Sequence, residues 1–223
     1  MRSPARSAAS APRTGNGAGG QRLVASQLKR LRRIVDAATE LAEKGGFEGV
    51  KLRDVAEVSE VALGTLYKYF RSKEDILLFA LAEEVERMEA TVAERLPEGR
   101  SPLERLTAFF QQSTRSLTRK PQFARAVLRA LASGDGETAT KVAAFHDRMT
   151  RLIVAALRGK PLDLAGPATG TEGTAREREI AGVLQNVWFA SLVGWAGGLH
   201  STRTVADHVA TAAALMRVRS KED

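Results

Sequence analysis

Apolar residues recur along most of the chain at the three- and four-residue spacing of amphipathic helices, and no stretch sustains the alternation of a strand. The first run is Leu31, Ile34, Val35, Ala38, Leu41 and Ala42, with charges on the other face. It predicts a helix from Leu28 to Gly45-Gly46, a pair suited to a left-handed cap. Two short segments follow, around Leu52, Val55 and Ala56 and from Ala62 to Phe70, separated by a break near Ser59-Glu60. Ser72 is placed to cap the next helix by accepting from the Asp75 N–H, and Ile76, Leu77, Ala80, Leu81 and Val85 continue its apolar face. Pro97-Glu98-Gly99 interrupts the chain, and Ser101-Pro102-Leu103-Glu104 combines a capping box with proline at the first helical position. Further helices are predicted from Pro121 to about Ser133, from after Gly134-Asp135-Gly136 to about Leu157, over 174–197 and over 203–218, with a Gly/Pro-rich loop at 159–173. The pattern predicts an all-α chain of about nine helices.

Composition narrows the function. A chain of 223 residues, 43% of them hydrophobic, can bury one large or two small cores. The absence of cysteine excludes a disulfide scaffold, a Cys-ligated zinc site, an iron–sulfur cluster and a thiol nucleophile. His146, His200 and His208 are too scattered in sequence for a metal site, and no Ser/His/Asp or paired-carboxylate pattern stands out. Neither a cofactor nor catalysis is expected.

Charge is the informative quantity. The first 33 residues hold eight Lys and Arg (Arg2, Arg6, Arg13, Arg22, Lys29, Arg30, Arg32, Arg33) and no Asp or Glu. Of 34 basic residues the remaining 26 balance 26 acidic ones, so the net +8 lies wholly at the N-terminus. A basic arm on a neutral body attracts a polyanion, and it is also the composition of a solubilising tail or a targeting peptide. The arm's Gly15-x-Gly17-x-x-Gly20 spells a dinucleotide-binding pattern but no strand precedes it, so it is not a phosphate cradle. Ile180 to Leu199 is long enough uncharged to span a bilayer, but its Gln185, Asn186 and glycines and its lack of flanking cations fit a buried helix at a subunit interface.

Three short helices with tight turns within residues 28–70, behind a basic segment, suggest a helix-turn-helix. Its recognition helix needs small residues at the N-terminus to approach base edges, and Ala62, Leu63, Gly64 and Thr65 supply them. With Val61, Leu66 and Phe70 inward, Thr65, Tyr67, Lys68 and Tyr69 fall near solvent, where hydroxyls beside a lysine suit phosphate oxygens. Lys73 adds a cation at the next helix start.

Gly45-Gly46-Phe47-Glu48-Gly49-Val50, Asp54-Val55-Ala56 and Gly64-Thr65-Leu66-Tyr67-Lys68-Tyr69-Phe70-Arg71-Ser72-Lys73 resemble the DNA-binding domain of TetR/AcrR-type bacterial regulators. Val61 to Phe70, together with Val187 to Trp195, looks more narrowly like the KstR-type branch, which controls steroid catabolism. The basic arm (1–21), low in bulky residues, is expected to be disordered, and the resemblance implies a helix-turn-helix domain (22–71) and a helical ligand-binding and dimerisation domain (72–223). It implies phosphate contacts from Thr65, Tyr67 and Lys73, and base or further backbone contacts from Arg53, Leu63, Gly64, Lys68 and Tyr69. Glu60 stands where the family's turn more often has glycine, and Lys51 replaces the usual Ser or Thr cap.

The partners so implied are a palindromic double-stranded operator, a second copy of the chain and a small apolar effector. The effector would move the helix from about Ser72 and release the DNA, in a bacterial cytoplasm with no membrane contact. Phe109, Phe110, Gln112, Phe123, Phe145, Met149 and Trp188 lie on the helices that line the family's pocket, with core packing as their alternative role. Val187, Ala190, Gly194 and Gly198 form a small-residue row fitted to a two-fold partner. A DNA-binding regulator without an inducer, or an organelle-targeted helical enzyme, remains the alternative.

Overall fold

The computed structural model describes residues 17–133, 136–164 and 173–216, and among them every regular element is a helix. The order is α1 (Gly17–Gly49), α2 (Leu52–Val58), α3 (Leu63–Leu66), α4 (Lys73–Glu94), α5 (Pro102–Leu117), α6 (Pro121–Leu131), α7 (Gly136–Arg158), α8 (Ala175–Ala196) and α9 (Thr202–Leu215).

The elements stop and start where the side chains require. Gly46 takes φ +62° and ψ −156°, a left-handed excursion that breaks α1 and leaves one short turn to Gly49. The N-terminal end differs from expectation, because α1 already includes Gly17–Gln21, inside the segment assigned to a disordered arm. Once the turns around Leu31–Ala42 exist, extending the helix backwards costs little per residue, whereas starting one there would be costly. Residues 1–16 of the expected arm lie outside the described residues.

Caps follow the same logic. The Ser72 and Ser101 hydroxyls accept from the backbone N–H of Asp75 and Glu104, both at 3.2 Å. The expected reciprocal half of the Ser101 box is displaced by one residue: the Glu104 carboxylate accepts from the Arg100 N–H at 2.8 Å. A complete capping box does form at α8, between Thr174 and Glu177. Arg158 then holds the Glu177 carboxylate through two bonds of 2.9 and 2.6 Å. That guanidinium, followed by the Thr174 N–H and hydroxyl, brings the Glu177 pKa down to about 2.

Two cores result. The N-terminal one gathers Ile34, Val35 and Ala38 of α1, Val55, Leu66 and Phe70, then the first half of α4 (Ile76, Leu77, Leu81) and Phe123, Ala126, Val127 and Ala130 of α6. The larger one joins the second half of α4 to α5, α7, α8 and α9 around Phe110, Leu152, Ile153, Leu184, Trp188 and Leu192. The expected boundary at residue 72 therefore cuts no clean seam, since α4 and α6 serve both cores. The Glu43 carboxylate of α1 accepts the Phe123 N–H of α6 at 3.0 Å, which ties the two parts at a helix start. No helix among the described residues is long and apolar enough to cross a membrane.

Candidate nucleic-acid interface and effector cavity

The recognition segment is shorter as a helix than the apolar run suggested. Only Leu63–Leu66 is α-helical, and Tyr67–Tyr69 continue as a tight turn, with the Tyr69 and Phe70 N–H groups both donating to the Leu66 carbonyl. Val61, Leu66 and Phe70 anchor it from below. Above them Gly64 and Lys68 are exposed, Tyr67 is 52% exposed and Thr65 and Leu63 are half-buried. Nothing stands within 4 Å of where a Gly64 side chain would begin, so its backbone lies open to an approaching surface. Tyr69, like Leu63, is half-buried and packs in part on the N-terminal core. Arg53 is exposed on α2.

The turn between α2 and α3 carries the strain that its sequence announced. Glu60 has φ +52°, the left-handed region that disfavours a side chain. Arg33 of α1 donates to the Glu60 carbonyl at 3.0 Å and pairs with its carboxylate at 3.7 Å, fixing the turn from outside. Arg33 is thus occupied by the fold, while Lys29 and Arg32 remain exposed on α1. Lys51 caps α2 without any side-chain hydrogen bond. Lys73, at the first turn of α4, has its ammonium 3.2 Å from the Phe47 carbonyl and 3.3 Å from Glu48 Oε2.

Beyond the head, two adjoining cavities lie between α4 and α5, the inner one reaching α6, α7 and α8. The outer one, about 170 Å³, is lined by Arg87, Arg95, Arg119, Glu84, Gln112 and Phe109, among others, giving three guanidiniums to one carboxylate. It shares Glu84, Met88, Ser113 and Ser116 with an inner chamber that is almost filled by its own apolar walls, which include Val127, Leu128, Phe145, Trp188 and Leu192. A further cavity of about 160 Å³ between α4 and α7 shares Leu81 and Phe145 with that chamber. Of the expected pocket residues, Phe109, Gln112, Phe145 and Trp188 line these spaces. Phe110 and Met149 line none of the three and are fully buried core. Phe123 also lines none, because α6 turns it onto α1 and into the N-terminal core. Sequence reasoning missed the three arginines: Arg87 lies on α4, Arg95 caps its end and Arg119 follows α5, and nothing in their spacing unites them until the fold brings them together.

The small-residue row on α8 is split in the same way. Ala190 and Gly198 are exposed and Val187 is half-buried. Gly194 is instead buried, and a methyl there would stand 2.1 Å from His200 Nε2 of the same chain. Its missing side chain makes room for an internal histidine rather than a partner helix. The exposed α8 face is Val183, Asn186, Ala190 and Val193, with Val183 and Val193 about half exposed at 47% and 49%.

Residues 34–80 match the model of the bacterial regulatory proteins of the tetR family, and residues 99–216 match the tetracyclin repressor-like C-terminal domain. The chain is 38% identical over 184 residues to the HTH-type transcriptional repressor KstR of Rhodococcus jostii, covering 82% of this chain and 81% of that protein. The chain belongs to the TetR family. Its fold is shared with a TetR regulator from Rhodococcus sp. RHA1, at TM-score 0.72 and 22% identity over 89% of this chain and all of that one. The Thermus thermophilus repressor FadR, solved with lauroyl-CoA, aligns at TM-score 0.59 and 22% identity, over 86% of this chain and 98% of that one. TetR proteins are regulators of transcription, not enzymes, and the KstR-type likeness read from two short stretches extends over most of the chain.

Proposed function

We propose that the protein is a homodimeric cytoplasmic repressor whose operator binding is released by an amphipathic effector with an apolar body and an anionic head. The observation that carries the effector class is the pair of adjoining cavities: an apolar chamber on one side and a cluster of three guanidiniums on the other. Arg87 pairs with Glu84 at 2.7 Å and Arg95 with Glu98 at 2.9 Å, so a carboxylate or phosphate head would compete with these exposed carboxylates for charge-assisted donors, beside the further guanidinium of Arg119. Rotating Met88, Leu81 and Phe145 would join the three cavities into one elongated space, as a long acyl chain or a fused-ring body requires. FadR's capture of lauroyl-CoA fits this reading.

On the DNA side, Thr65, Tyr67 and Lys73 are assigned to phosphates, and Gly64 and Lys68 to the major groove with Leu63, Tyr69 and Arg53 flanking them. One such head reads only a few base pairs, so a two-fold pair reading a palindrome supplies the missing specificity. The exposed apolar stripe of α8 is where the second copy docks.

The effector assignment is tested by titrating the protein–DNA complex with lauroyl-CoA, a steroid carboxylate, free coenzyme A and dodecanol, following fluorescence anisotropy of labelled DNA. Release by one of the two amphiphiles, but not by coenzyme A or dodecanol, is expected. Equal release by dodecanol would remove the anionic head, and no release by any of the four would remove this effector class.

A further inference from the structure

Lys73 occupies the position assigned to a phosphate, yet its ammonium is already shared. Besides its bonds to the Phe47 carbonyl and Glu48 Oε2, it lies 3.9 Å from the centre of the Phe47 ring. The other Glu48 oxygen, Oε1, receives Arg129 Nη2 of α6 at 2.8 Å, and the Arg129 guanidinium lies 4.5 Å from the same ring. One carboxylate and one ring therefore join two cations from opposite sides of the molecule's division of labour: α4, which starts the DNA head's last helix, and α6, which walls the effector chamber with Val127, Leu128 and Leu131. Lys73, helped by Arg129, holds the Glu48 carboxyl below the usual carboxylate range, so it stays ionised at neutral pH.

We propose that Glu48 is a positioning residue that sets how freely Lys73 can meet a DNA phosphate, and that Arg129 tunes it according to where α6 stands. The assignment rests on the reading of Lys73 as a phosphate contact. With Arg129 in place, Glu48 divides its two oxygens between two cations and the cluster carries one net positive charge. When α6 draws Arg129 away, both oxygens turn to Lys73, the pair becomes neutral, and a phosphate arriving there meets a carboxylate instead. An effector in the inner chamber pushes on the same 11-residue helix that carries Arg129. All three charged groups keep solvent contact, so the effect is a modulation of binding and not its switch.

The test uses the 223-residue protein, Arg129→Ala, Glu48→Gln, the double variant and Lys73→Ala, with anisotropy of labelled DNA from upstream of its own gene measured over a salt series and melting curves to confirm folding. Arg129→Ala should weaken binding about two- to fivefold, the range of an exposed ion pair, and flatten the salt dependence. Glu48→Gln should tighten it, and in that background removing Arg129 should matter much less, because no carboxylate is left to clamp Lys73. Equal effects of Arg129→Ala in both backgrounds would mean that only bulk charge is at work, and would overturn the proposal. A salt slope left unchanged by Lys73→Ala would overturn the phosphate assignment itself. The response to lauroyl-CoA should shrink in Glu48→Gln, and an undiminished response would break the link to α6.

Discussion

Glu60 shows how a single residue can be legible in sequence and still need coordinates. Its place in a turn where the resemblance led one to expect glycine implied strain, and its φ of +52° supplies it. The brace from Arg33, 27 positions earlier, had no sequence signal, since nothing local separates Arg33 from the neighbouring Arg32. Replacing Glu60 by Gly should raise stability by about 0.5–1 kcal/mol, the left-handed penalty less the entropy of a glycine in the unfolded chain. A urea midpoint that stays put or falls would show that the Arg33 pair outweighs the strain. Lys51→Ser is expected to add about 1 kcal/mol by supplying the absent cap of α2. The same urea titration checks it, and a lower midpoint would mean that the α2 start gains nothing from a hydroxyl.

Helices were legible wherever one face met one core. The ends of α4, α5 and α8 could be placed from Ser72, Ser101-Pro102 and the Gly-rich loop because capping is local chemistry. α6 was not legible in the same sense: its period marked a helix, but two opposed cores use its two faces, and sequence could not say that Phe123 belongs to the first of them. The start of α8 yields a pH prediction. Glu177 has its carboxyl pKa brought down to about 2 by Arg158 and Thr174, so its contribution to stability is present in full above about pH 4.5. It should disappear as the pH falls from there towards about 2, and Glu177→Gln should lose it at every pH. Thermal melts of the two proteins from pH 6 to pH 2.5 should therefore converge with acidification; parallel curves would contradict the assignment. At the other end of α8, Gly194→Ala should destabilise by about 1–3 kcal/mol, since the new methyl displaces His200.

At the scale of the molecule, the unequal charge seen first in the sequence now has a place. A basic start leads into the helix-turn-helix head, while the balanced remainder includes the cavities and the exposed α8 face. Changing Val193 to Asp should convert a dimer to a monomer in light scattering and weaken operator binding with it; a dimer that persists would move the interface elsewhere. What sequence could not supply was the cavity, because Arg87, Arg95 and Arg119 meet only after α4 and α5 pack. DNA release and effector capture are coupled in one chain. One anisotropy titration checks this coupling, with the protein against labelled DNA from upstream of its own gene and against a scrambled sequence, each with and without lauroyl-CoA or the steroid carboxylate. Binding to the upstream DNA should be at least about 10³-fold tighter than to the scramble, and lost when one of these amphiphiles is added. Equal affinity for both sequences, or an upstream complex indifferent to both amphiphiles, would contradict it.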